Sequence, residues 1–250
     1  MRRRRLAQWA TDMRAAKLRR LAELAVGSVS HGGEVEGVVG DFGAAQALLA
    51  MGVVVAFPAP ALPYATPFPG CRHYVGAFGA EMCAAWLTLV GREVRKWKII
   101  TAGQPDDKRH SGALRDSSGV VVAVSGFLTS MGEMEGRVCA EPHALRSLPG
   151  CQVQDPHVDY NEELVAAIPV GGRKPASVLL SLESGSRLFL GRGLGGPDVL
   201  VEFGLGDVIV FCGDVPHYGS GYESLNTRVH LYLDLEGRRR MRKSDSAYLY

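Results

Sequence analysis

Residues 206–219 read Gly-Asp-Val-Ile-Val-Phe-Cys-Gly-Asp-Val-Pro-His-Tyr-Gly, and they combine a turn, a strand and a histidine. The pair Gly206-Asp207 is typical of a turn. The run Val208–Phe211 is apolar and rich in β-branched residues, which predicts a strand. His217 follows where that strand is expected to end. The stretch therefore predicts a β-rich fold that presents a histidine at the end of a strand.

The chain from residue 119 onward has the texture of a β-protein. Short apolar runs recur there, and clusters of Gly, Pro, Asp and Ser separate most of them. The runs are Val120–Val124, Val178–Leu182, Arg187–Leu190, Val199–Phe203, Val208–Phe211 and Val229–Leu235. Many short strands with a turn about every 8–12 residues favour a sandwich or barrel over alternating βαβ units.

A second informative segment, residues 151–160, places His157 and Asp159 two positions apart. On a strand these side chains project to the same face, whereas on a helix they diverge by about 200°. The pair alone is weak, because three-residue patterns arise by chance. With His217 it gives one carboxylate and two imidazoles, the facial set that holds ferrous iron and leaves three positions open. Arg228 adds a guanidinium that can hold a carboxylate by two parallel hydrogen bonds.

Taken in order, His157, Asp159, His217 and Arg228 resemble the motif of the Fe(II)/2-oxoglutarate-dependent dioxygenases. The residues around the second histidine are similar to that family as well, namely Gly206, Asp207, Phe211 and Gly219. The resemblance covers residues 119–236, about half of the chain. It implies a mainly β fold with N-terminal supporting helices, a double-stranded β-helix or jelly roll. It also implies that His157, Asp159 and His217 bind the metal and that Arg228 binds the co-substrate.

The resemblance further implies an oxidoreductase that uses Fe(II), 2-oxoglutarate and O2, with ascorbate as the reductant. Such an enzyme hydroxylates its substrate, or demethylates it through hydroxylation, and releases succinate and CO2. Family members that halogenate carry a small residue at the position of Asp159, so the aspartate implies hydroxylation.

One position departs from the family pattern. Several subgroups place a serine or threonine two residues after the arginine, where it helps to bind the co-substrate, and this chain has His230. On a strand, His230 shares a face with Arg228. We expect His230 either to hydrogen-bond the co-substrate or to fill the barrel. Filling is favoured, because side chains normally occupy the inward positions of small barrels.

Two other functions stay open at this point. A hydrolase could use zinc or another metal on the same residues, although no glutamate stands in an HExxH-like position to act as a base. A catalytically inactive jelly-roll protein could instead use its basic ends to bind nucleic acid. The complete set of three ligands plus Arg228 argues against that second alternative.

The charge distribution divides the chain into basic ends and an acidic body. Residues 1–20 carry eight basic side chains and one acidic side chain, and residues 238–250 carry five basic side chains and one acidic side chain. Residues 21–237 carry 15 basic and 24 acidic side chains, a net charge of −9. We expect four parts: a basic helix and Gly-rich linker over 1–40, a helical and strand support over 41–118, the catalytic β-helix core over 119–236 and a basic tail over 237–250.

Composition also bears on the compartment. The best apolar stretch, Ala47–Phe57, is shorter than the roughly 18–20 residues that span a bilayer, and prolines follow it. Five scattered cysteines without a CxxC pair favour free thiols in a reducing compartment. We expect an intracellular protein without a membrane partner. It would be cytoplasmic, or organellar or nuclear if the basic N-terminus is a targeting segment.

The primary substrate is left open among a small molecule, a peptide and a nucleic acid, the last only through the basic termini. The candidates for residues near the pocket are Tyr64, Arg109, Gln154 and Tyr160. Four histidines in polar stretches are predicted to be surface or structural residues: His31, His73, His110 and His143. Periodicity predicts a helix over 79–99, and the polar stretch over 104–118 predicts a loop.

Overall fold

The computed structural model describes residues 64–100, 106–191 and 197–237. The strands are β1 (Tyr64–Ala65), β2 (Cys71–Tyr74), β3 (Lys98–Ile99), β4 (Arg109–Ala113), β5 (Arg137–Ser147), β6 (Ala176–Ser181), β7 (Ser186–Leu190), β8 (Val199–Phe203), β9 (Val208–Cys212), β10 (His217–Gly219) and β11 (Asn226–Leu235). The helices are α1 (Ala80–Glu93), α2 (Gly119–Ser130) and α3 (Glu162–Ala166). The predictions for 1–40, for Ala47–Phe57 and for the basic tail beyond 237 lie outside the described residues.

The described strands form two antiparallel sheets. The large sheet has the order β1-β2-β9-β6-β11-β5-β4-β3, and the small sheet has the order β10-β7-β8. Apolar side chains from both sheets pack into one core cluster, which includes Leu179 of β6, Leu188 of β7, Phe203 of β8 and Phe211 of β9. The sheets therefore enclose a common interior, and the site described below lies within it.

Helices α1 and α2 pack beside the strand β2. Phe127 of α2 meets Tyr74 of β2 edge to face at 5.4 Å, and Phe78 contacts both Phe127 and Trp86 of α1. Such tilted aromatic pairs add to the stability gained from burial alone. No helix in the described part of the chain is long and apolar enough to cross a membrane.

The Gly206-Asp207 turn fixes the start of β9. Gly206 adopts a left-handed backbone (φ +79°), and a Cβ there would lie 1.8 Å from the carbonyl oxygen of Phe78. The Asp207 carboxylate accepts a hydrogen bond from the Gly76 amide at 2.7 Å and lies 2.8 Å from Nε2 of His73. His73 is thus a structural residue, as predicted, and the turn ties β9 to the chain that follows β2.

The structure confirms five of the six apolar runs as strands and corrects the sixth. Val120–Val124 lies in α2, and the strand prediction there was wrong because a continuous apolar run does not distinguish a buried helix from a strand. The loop predicted over 104–118 contains β4, Arg109–Ala113. The helix predicted over 79–99 is confirmed as α1 but ends at Glu93, and β3 follows.

The large sheet takes strands from both sides of residue 119. Strands β1–β4 come from the predicted support region, and β5, β6, β9 and β11 come from the predicted core. The division at residue 119 stays a prediction, but hydrogen bonding between β4 and β5 crosses it.

Candidate metal centre

The two histidines and the aspartate predicted from the sequence lie together. One ligand atom from each of His157, Asp159 and His217 falls within 4.8 Å of the others. The backbones of His157 and His217 exchange two hydrogen bonds of 3.0 and 2.8 Å, which places the strand β10 against the extended segment around His157. Nε2 of His217 lies 3.6 Å from Oδ2 of Asp159. Backbone pairing therefore holds the three side chains in one place.

Both histidines are oriented by backbone carbonyls. Nδ1 of His157 lies 2.9 Å from the carbonyl oxygen of Asp155, and Nδ1 of His217 lies 3.1 Å from that of Val215. A carbonyl oxygen only accepts, so Nδ1 of each ring carries the hydrogen and Nε2 keeps its lone pair. Ser177 donates a hydrogen bond to Oδ2 of Asp159 and restrains the carboxylate. Two imidazole nitrogens and one carboxylate are thus prepared to bind a metal ion.

The protonation states also suit a divalent metal. Burial raises the pKa of Asp159, but His217, His230 and His157 together lower that pKa below its usual range. Burial lowers the pKa of His217 to about 4, although Asp159 opposes the shift. At neutral pH the aspartate is therefore ionised and His217 is neutral, as metal ligation requires. This donor set fits the Fe(II) site that the sequence predicts.

Arg228 lies on β11, is 4% exposed and has unused hydrogen-bond donors. One terminal nitrogen donates to Ser147 Oγ at 3.0 Å, and its guanidinium carbon lies 5.1 Å from the centre of the Tyr222 ring. Its Nε is buried without a hydrogen-bond partner among the described residues. A buried guanidinium with an unsatisfied N–H is ready to receive an anion, since leaving that donor unpaired costs free energy.

Arg109 of β4 is buried beside Arg228 but is differently engaged. It donates to the same Ser147 hydroxyl at 3.3 Å and to the backbone carbonyl oxygens of Gln152 and Ser220. Burial lowers its pKa, and the nearby charge of Arg228 contributes to that shift. Arg109 therefore connects the loops around the site and adds a second positive charge beside Arg228.

These groups line a cavity of 330 Å³. Its walls also carry apolar side chains, among them Leu145, Val158, Leu179, Leu188 and Phe211. Two of the four residues predicted near the pocket, Arg109 and Gln154, do line it. Tyr160 does not, because it is fully buried and its hydroxyl donates to Asp234 at 2.9 Å. Tyr64 is exposed on β1 and is not part of the lining.

His230 lies beside the candidate metal ligands. Its Nε2 is 3.6 Å from Oδ2 of Asp159, and its ring centre is 4.5 Å from that of Tyr232. It therefore contributes to the wall of the site next to a ligand. His143 was predicted to be a surface or structural residue, but it lines the cavity. It lies on β5, where it is the direct strand partner of His230 on β11. Strand β5 is not among the predicted apolar runs, because its sequence mixes polar and apolar residues.

Comparison with known proteins gives matches in structure but not in sequence. No protein-family model and no curated protein matches the chain. A prolyl-4-hydroxylase from Pseudomonas putida aligns with a TM-score of 0.53 and 16% identity, over 67% of this chain and 94% of its own. HygX from Streptomyces hygroscopicus, solved with nickel and 2-oxoglutarate bound, aligns with a TM-score of 0.53 and 12% identity, over 72% of this chain and 92% of its own. An oxidoreductase of the 2OG-Fe(II) oxygenase family from Burkholderia pseudomallei aligns with a TM-score of 0.50 and 17% identity, over 68% of this chain and 87% of its own.

These alignments define the class of the fold. The chain has the double-stranded β-helix fold of the 2-oxoglutarate- and Fe(II)-dependent oxygenases, and the jelly-roll prediction is confirmed. At such low identity the likeness extends to the fold, and function must be argued from the site itself.

Proposed function

We propose that this protein is an Fe(II)- and 2-oxoglutarate-dependent dioxygenase that hydroxylates its substrate, or demethylates it through hydroxylation. The observation that carries the proposal is the placement of two kinds of group in one cavity. One is the oriented set of His157, Asp159 and His217, and the other is the buried, partly unsatisfied guanidinium of Arg228. The shared fold of the oxygenases supports it.

In this proposal His157, Asp159 and His217 hold the metal. When bound there, Fe(II) supplies the activation of O2 for oxidation of a C–H bond, with positions left for ligands that the protein does not provide. The carbonyls of Asp155 and Val215 hold Nδ1 of the two histidines, so that Nε2 of each ring would be free to bind the metal. Asp159 would supply the third protein ligand, at the position where halogenating members of the family carry a small residue, which favours hydroxylation.

Arg228 is assigned to the co-substrate. The distal carboxylate of 2-oxoglutarate can accept two parallel hydrogen bonds from the guanidinium, one of them from the unsatisfied Nε. Arg109 adds positive charge at the same end, and Ser147 holds both guanidinium groups through its hydroxyl. The balance of the reaction is one 2-oxoglutarate, one O2 and one substrate C–H giving succinate, CO2 and an alcohol.

Succinate release tests the proposal directly. The protein is incubated with Fe(II), ascorbate, 2-oxoglutarate and air, without a primary substrate, and compared with Asp159→Ala and Arg228→Ala. We expect slow succinate formation that disappears in Asp159→Ala and needs far more 2-oxoglutarate in Arg228→Ala. Because some oxygenases react only with substrate present, the weak visible band of the anaerobic Fe(II) and 2-oxoglutarate complex is the second readout. Absence of both signals would refute the proposal.

A further inference from the structure

A second groove lies beside the cavity and is strongly basic. It has a volume of 540 Å³ and is formed by the end of α1, the segment that follows it, β3 and β4. Its charged walls comprise Arg95, Lys96, Lys98 and Arg115, with Glu93 as the acidic member. Ser111 and His143 line both this basic groove and the cavity. The two spaces therefore share a border.

Strand register shows that the basic groove continues the inner face of the large sheet. Arg228, Leu145, Ser111 and Lys98 are successive partners across β11, β5, β4 and β3. Directly paired residues point to the same face, and neighbouring strands lie about 4.8 Å apart. The backbones of Arg228 and Lys98 are thus separated by three strand spacings, roughly 14 Å. A molecule with one end near the metal ligands can reach the groove along this row.

The charge of the basic groove contrasts with the rest of the body. Residues 21–237 carry a net charge of −9, but the charged groove residues sum to +3. The four cations are exposed, and none of them makes an ion pair with another described residue. A single lysine on an edge strand commonly guards against unwanted pairing. Protection of an edge strand does not require four cations around the basic groove. Their arrangement next to the cavity suits the binding of an anion.

Building on the proposed function, we propose that the basic groove binds a phosphate group of the primary substrate while the carbon to be hydroxylated enters the cavity. A phosphate dianion matches the local charge of +3 better than a single carboxylate does. The four cations surround a single groove on a body whose net charge is −9, which disfavours binding along a long nucleic-acid strand. The 330 Å³ cavity must also hold 2-oxoglutarate, so only a small part of the substrate fits there.

Titration calorimetry with inorganic pyrophosphate, without added metal and at low salt, tests the proposal. We expect the wild-type protein to bind pyrophosphate and the double variant Lys98→Glu/Arg115→Glu to bind at least tenfold more weakly. Arg92→Glu is the matched control, since Arg92 is exposed in the last turn of α1 but does not line the groove. That control should stay within threefold of wild type. If the Glu variant fails to fold, Lys98→Gln/Arg115→Gln replaces it.

The outcomes separate this proposal from the proposed function. Equal binding by the wild type and the groove variant, or absence of binding by the wild type, would overturn the phosphate site. Tighter binding of citrate than of pyrophosphate at the same residues would overturn the assignment to phosphate. The groove variant should also keep wild-type turnover of 2-oxoglutarate without substrate. If the wild type binds pyrophosphate but shows neither succinate release nor the visible band, the proposed function and the groove's role for its substrate both fail.

Discussion

Replacing Arg228 with alanine should weaken 2-oxoglutarate binding about 150-fold. The guanidinium is buried and spends one donor on Ser147, so its Nε and a terminal nitrogen are left for a carboxylate. Two hydrogen bonds to a charged group contribute about 1.5–3 kcal/mol each, or about 3–6 kcal/mol together. Water that enters the vacated space restores part of this binding free energy, so we expect a loss at the lower end of the range, about 3 kcal/mol. A loss of about 3 kcal/mol corresponds to a roughly 150-fold increase in Kd.

The assay is an anaerobic titration of the Fe(II) protein with 2-oxoglutarate, followed by the weak visible band of the complex. Arg187→Ala is the matched control, because Arg187 also lies over the Tyr222 ring, at 5.5 Å, and donates to a backbone carbonyl, but it does not line the cavity. The control should bind 2-oxoglutarate within threefold of wild type. An equally small change in Arg228→Ala would refute the assignment of Arg228 to the co-substrate.

Three further changes test the surroundings of the site. Gly206→Ala should destabilise the protein by at least about 3 kcal/mol in urea unfolding, since its Cβ meets a backbone oxygen at 1.8 Å. Gly76 is also left-handed but has open space around its Cα, so Gly76→Ala should lower the free energy of unfolding by only about 1–2 kcal/mol. An equal loss of stability in the two variants would contradict the clash at Gly206. Because the pKa of His217 falls from 6.5 to about 4 in the folded state, the metal-free protein should lose stability as pH drops through that window, and His217→Asn should lose less. Ser177→Ala should weaken metal binding about tenfold, measured by competition with a chelator, and an unchanged affinity would exclude its role.

The metal ligands could be predicted because their geometry is largely local. His157 and Asp159 need only an extended backbone to share a face, and His217 follows a strand that its own sequence specifies. The strand β11 was predicted from the apolar run Val229–Leu235, and Arg228 lies directly before that run. The type and spacing of these residues carried the information before any long-range contact was known.

The remaining wall of the site depends on contacts that a single sequence does not reveal. Strand β5 mixes polar and apolar residues and contains Pro142, next to Glu141, whose backbone is left-handed (φ 43°). It is held by β4 on one side and β11 on the other, with a register shift between His230 and Tyr232. Ser147 and His143 were missed for this reason. The helix α2 was misjudged because its apolar run fits either structure until its packing is known.

Anaerobic titration of the metal-free protein with Fe(II), monitored by calorimetry, tests the central claim most directly. The claim is that His157, Asp159 and His217 form one metal site, and it predicts one equivalent of Fe(II) bound by the wild type. Replacing any of the three with alanine should abolish tight binding while far-UV circular dichroism stays unchanged. A wild-type protein that binds no Fe(II), or folded variants that all bind it undiminished, would contradict the claim.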